Sequence, residues 1–74
     1  MNNYLTERET EVLYYVAKSL TNREIAKILN VTHHTVKAHI SAILYKLECR
    51  NRTEAALYAQ RNDLLTLLQD SKLP

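Results

Sequence analysis

A chain of 74 residues has room for one small domain that hides only about 60% of its unfolded surface, so a modest core that gains from a partner is expected. Apolar residues at 46% and charged residues at 24% exclude a disordered tail, and no unbroken apolar run, Ala55 to Ala59 included, approaches the roughly 20 residues a membrane span needs. A lone cysteine excludes an internal disulfide, and the lack of glycine excludes phosphate-binding loops, dinucleotide fingerprints and nucleophile elbows; the net charge of +2 says little until it is divided along the chain.

Thr6 followed by Glu9 is a capping box, in which the hydroxyl accepts from an amide of the first turn and the carboxylate reaches back to the amide of Thr6; a first helix is predicted to start there. Val12, Leu13, Val16, Ala17 and Leu20 recur at helical spacing and face a core, with Glu11, Tyr14 and Lys18 turned elsewhere. Thr21 and Glu24 repeat the box, and Ile25, Ala26, Ile28 and Leu29 predict a short second helix ending near Asn30. Thr32 caps the third and longest helix, whose Val36, Ile40, Ile43, Leu44 and Leu47 point inward. Asn51 with Glu54 starts a fourth helix, about 52–61, in which Ala55, Ala56, Leu57, Tyr58 and Ala59 are apolar on every side and are expected to be covered twice. No segment alternates apolar and polar residues, so the fold is read as all-α, a single four-helix domain over 1–74 without linker or repeat. The single thiol, with no signal-peptide pattern at the start, fits a cytoplasmic location.

Charge is divided unevenly. From Lys18 to Thr53, seven basic residues (Lys18, Arg23, Lys27, Lys37, Lys46, Arg50, Arg52) against Glu24 and Glu48 give +5, between flanks of −2 and −1. A polyanion is drawn to the middle of the chain. There the second and third helices are joined by Asn30, Val31 and Thr32, a connection short enough for a helix-turn-helix over about 21–47. Opposite the inward stripe of the third helix stand His34, Lys37, Ala38, Ser41 and Tyr45, and no carboxylate lies between Glu24 and Glu48. Such a face suits the major groove of double-stranded DNA: Lys37 donates to guanine O6 and N7, Ala38 touches a thymine methyl, and Ser41 donates or accepts. His34, with His33, sits in the turn that meets bases or phosphates, a solvated pair being the plain alternative. Asn22, Arg23, Thr35 and Lys46 flank this face as phosphate contacts.

The segments Leu-Thr-Glu-Arg-Glu-Thr-Glu-Val-Leu (5–13), Thr-Asn-Arg-Glu-Ile-Ala-Lys-Ile-Leu (21–29), Thr-Val-Lys-Ala-His-Ile (35–40), Lys-Leu (46–47) and Arg-Thr-Glu-Ala (52–55) together resemble the LuxR/FixJ (GerE-like) family of bacterial transcription regulators, in order and in spacing. The resemblance implies a four-helix, sequence-specific DNA-binding output domain that pairs on two-fold sites. It places base reading on Lys37, Ala38 and Ser41, with phosphate contacts on Asn22, Thr35, Lys37 and Lys46. It also implies a homodimer contact on the fourth helix, here Ala55, Tyr58 and Ala59, and partners in a receiver or sensor domain or RNA polymerase. Ser41 replaces a longer basic side chain common in the family, and Ser19 and Glu48 replace two glycines, so those turns are expected to be strained or differently closed.

Rival readings have less behind them. His39 lies well round the helix from His33 and His34, so no metal or other cofactor is expected. The acids occupy capping and flanking positions, which argues against an enzyme. Cys49 reads as a buried, inert thiol, and Tyr4, Tyr14, Tyr15, Tyr45 and Tyr58 as core edges and interface. The main alternative is a protein-interaction module that docks a partner helix or receiver domain through the fourth helix and Leu64, Leu65, Leu67 and Leu68.

Overall fold

The computed structural model describes residues 5–62, which form four helices and no strand: α1 (Glu7–Ala17), α2 (Asn22–Leu29), α3 (His33–Leu47) and α4 (Arg52–Arg61). Each begins at its expected cap. The Glu9 amide donates to Thr6 Oγ1 (3.0 Å) while the Thr6 amide donates to Glu9 Oε1 (2.9 Å), and Thr21 and Glu24 make the same reciprocal pair at 3.1 and 2.8 Å. Thr32 Oγ1 accepts from the Thr35 amide at 3.2 Å. Asn51 Oδ1 accepts from the Glu54 amide at 2.9 Å, but Glu54 Oε1 passes over the cap and accepts from the Arg50 amide at 2.7 Å.

The first three helices end in one way despite the lack of glycine. Leu20, Val31 and Cys49 donate their amides to the carbonyls of Tyr15, Ala26 and Leu44, and Ser19, Asn30 and Glu48 donate to those of Val16, Lys27 and Tyr45. That is the Schellman closure, whose pivot must be left-handed. The pivots Ser19, Asn30 and Glu48 have φ of 71°, 60° and 57°. Asparagine tolerates this region, whereas serine and glutamate crowd Cβ against the backbone. Glu48→Gly and Ser19→Gly are therefore each expected to raise stability by about 1 kcal/mol in urea unfolding. Unchanged midpoints would mean that the turns carry no strain.

The core is built around α1, which packs on α3 and α4, while α2 lies mainly against α3. Leu13, Ile25, Ile43, Val12 and Val36 are fully buried. The stripe on α1 is wider than the sequence spacing predicts, because helices cover it from two sides. Tyr14, expected to turn elsewhere, is buried, its ring 5.1 Å from that of Tyr15 in an edge-on arrangement and beneath the Lys18 ammonium. Ile28 is 48% exposed, since α2 is covered chiefly from the α3 side. On α4, Ala55 and Ala59 are buried and Ala56 and Tyr58 half-buried, but Leu57 is 47% exposed, so within the described residues this helix is covered on one side rather than all round. No helix among these residues is long and apolar enough to cross a membrane. The Leu64, Leu65, Leu67 and Leu68 cluster and Tyr4 lie outside the described residues.

One ion pair ties the start of α1 to the end of α3. Glu9 Oε1, which already accepts from the Thr6 amide, also accepts from Lys46 Nζ at 2.7 Å, and the two side chains are only 8% and 27% exposed. Burial raises the Glu9 carboxyl, but the Lys46 hydrogen bond, the Thr6 amide and the charges of Lys46 and His39 outweigh it and hold the group below its ordinary value. A carboxylate depressed in the folded state adds stability that is complete above its unfolded pKa of about 4.3 and is lost as pH falls through the lower folded value. Glu9→Gln is expected to cost about 2 kcal/mol at pH 7 and to flatten the loss of stability below pH 4.3. An acid limb as steep as that of the unaltered protein would remove Glu9 from this role.

Candidate nucleic-acid interface

The three-residue connection after α2 is closed by the Asn30 pivot, and Val31 packs against the core beside α2 and α3. These contacts hold α3 at a fixed angle across α2. With 15 residues, α3 is about 22 Å long. Val36, Ile40 and Ile43 anchor one side of it in the core. His34, Lys37, Ala38, Ser41 and Tyr45 are all exposed on the other, which is the face the sequence spacing predicts. Lys37 enters no ion pair among the described residues, so its ammonium is available. This face is free of carboxylates throughout, and the first acid beyond it is Glu48, past the end of the helix.

The flanking residues divide into two groups. Asn22, Arg23 and His33 line a shallow open groove between the starts of α2, α3 and α4, together with Arg52 and with no acid on its walls among the described residues. Arg52 is the residue that sequence reasoning leaves without a role. Its Nη1 donates to Asn22 Oδ1 at 2.6 Å and its Nη2 to the Leu20 carbonyl at 2.9 Å, joining the start of α4 to the start of α2. With its oxygen occupied, Asn22 is left with an amide NH₂ to offer, a donor group suited to a phosphate. No spacing rule pairs residues thirty apart, so nothing in the sequence announces this clamp.

Thr35 is exposed at the start of α3, and its hydroxyl lies 3.1 Å from that of Thr32. The rings of His33 and His34 lie 4.2 Å apart. Partial burial, followed by the charges of Arg23, His34 and Lys37, pushes His33 below its ordinary value, so it is mainly neutral at pH 7 and offers a ring N–H rather than a charge. Lys46, the fourth expected phosphate contact, carries an ammonium that is paired with Glu9 Oε1 at 2.7 Å within the domain.

Two further expectations change. Ala55 and Ala59 are 2% and 0% exposed inside the core of their own chain, so neither offers surface to a second copy. What α4 presents outward is Thr53, Leu57, Gln60 and Arg61, with Tyr58 half-buried. Cys49 is half-buried; burial and then the Glu54 carboxylate push its thiol up against the opposing pull of Arg61, which keeps it protonated and unreactive near neutrality.

The family profile described as "Bacterial regulatory proteins, luxR family" matches residues 3–59. The "Response regulator protein VraR" of Staphylococcus aureus (strain Mu3 / ATCC 700698), of Staphylococcus epidermidis (strain ATCC 35984) and of Staphylococcus saprophyticus subsp. saprophyticus (strain ATCC 15305) are each 49% identical over 61 residues. The match covers 82% of this chain and 29% of each relative.

Proposed function

Because the chain belongs to the luxR family of bacterial regulatory proteins, we propose that it binds double-stranded DNA sequence-specifically as the output domain of a transcription regulator, with α3 in the major groove. The observation that carries this reading is the exposed, carboxylate-free face of α3, where Lys37 stands without an ionic partner among the described residues, between short side chains that let bases approach. Lys37, Ala38, Ser41 and His34 read base edges. Asn22, Arg23 and Thr35 hold phosphates beside them and set the register of the helix. Exposed Leu57, flanked by Gln60 and Arg61, gives α4 a surface on which a second copy pairs, so that two short reading faces act on one two-fold site. A receiver or sensor domain, or RNA polymerase, is proposed as its further partner.

Binding is tested by salt titration on duplex DNA. Log affinity should fall linearly with log salt, and Arg23→Ala should reduce the slope by about 0.9 per domain on every sequence alike. No binding to mixed-sequence duplex DNA at low salt would refute the reading and favour the protein-interaction alternative.

A further inference from the structure

The most exposed large hydrophobic side chain among the described residues is Tyr45, 83% accessible on α3. Its hydroxyl has no hydrogen-bond partner there, and its ring makes no aromatic contact. An aromatic side chain held this far into water, in the last turn of a helix anchored by Ile40 and Ile43, contributes little to its own fold. Tyr45 follows Ser41 by four residues, Ala38 by seven and His34 by eleven, which places all four in one line along the helix.

A straight rod of about 22 Å cannot follow a groove that completes its turn in about 34 Å. If the first turns of α3 lie at the base edges, the last turn climbs toward the sugar-phosphate wall. Tyr45 is about 16 Å along the axis from His34 and so stands at that exit. Lys46, the neighbouring cation, is turned inward onto Glu9. The phenol is then the outward-facing hydrogen-bond donor of the last turn, long enough to reach over the groove edge, and neutral.

We propose that the Tyr45 hydroxyl donates to a DNA backbone phosphate where α3 leaves the major groove, a contact that positions the helix without reading sequence. This rests on the DNA-binding reading above. Being uncharged, the contact releases no counterion, so it strengthens binding without steepening the salt dependence, unlike a contact from Lys or Arg.

The test measures affinity of the full chain for a duplex selected from random DNA, using Tyr45→Phe and Tyr45→Ala, with Lys37→Ala alongside. Because Tyr45 is exposed, both of its variants should melt like the unaltered protein. Tyr45→Phe is expected to lose about fivefold per domain, on selected and mixed-sequence DNA alike, with an unchanged salt slope; Tyr45→Ala should lose at least as much. Wild-type affinity for both variants overturns the proposal, as does a loss confined to Tyr45→Ala, which would indicate an apolar contact. A loss confined to the selected sequence overturns it too, since that marks a base contact. If Lys37→Ala loses affinity while the Tyr45 variants do not, Tyr45 alone is misassigned; if the unaltered protein binds no DNA, the underlying reading fails instead.

Discussion

Lys37→Ala is expected to cost about 1 to 3 kcal/mol of specific binding per domain, about twice that on a two-fold site, and to relax the preference at one base pair of each half-site. The expected size follows from how little else reads sequence on this face. Ala38 has only a methyl group, Ser41 one hydroxyl, and His34 sits at the helix start. Lys37 is the one exposed ammonium of the stripe, and because it is in no ion pair among the described residues, removing it breaks no contact inside the protein. Thermal stability should stay within about 0.5 kcal/mol of the unaltered chain. Affinity measured on the selected site and on variants of each base pair checks both parts; equal losses on all sequences would reduce Lys37 to a phosphate contact.

Leu13→Ala is expected to cost about 3 kcal/mol of stability. Leu13 is 1% exposed at the centre of α1, the helix on which α3 and α4 both rest, so the cavity left behind has rigid walls on two sides. A domain of this size has only about 3 to 9 kcal/mol to lose. Such a variant should lose most of its helical circular dichroism in mild urea, and its DNA affinity with it. Leu57→Ala, at a position already 47% exposed, should cost under about 1 kcal/mol. Similar losses for both would mean that the core is not centred where α1 meets its neighbours.

Local features of this chain are legible in its sequence. Four side-chain caps, at Thr6, Thr21, Thr32 and Asn51, mark four helix starts because a cap satisfies amides within three residues of itself. The outward face of α3 is equally legible, since one buried stripe fixes its opposite. Features that depend on how helices meet are not. Tyr14 is buried because two helices flank α1, and Ala55 and Ala59 are hidden because α4 lies on α1; helical periodicity alone reveals neither. Lys46 finds Glu9 thirty-seven residues away, and Arg52 finds Asn22 thirty away. These two contacts decide which polar groups remain for a ligand. Resemblance to a family directs attention to Lys46 but leaves unstated that its charge is already answered from within.

Placement of α3 in the major groove is tested most directly by altering one groove at a time in the selected site. Replacing guanine by 7-deazaguanine removes the N7 acceptor from the major groove, whereas inosine removes only the N2 amino group from the minor groove. Within the half-site, 7-deazaguanine is expected to weaken the unaltered protein and to leave Lys37→Ala unchanged, with inosine tolerated by both. Sensitivity to inosine together with indifference to 7-deazaguanine would place the reading contacts in the minor groove and contradict the role assigned to α3.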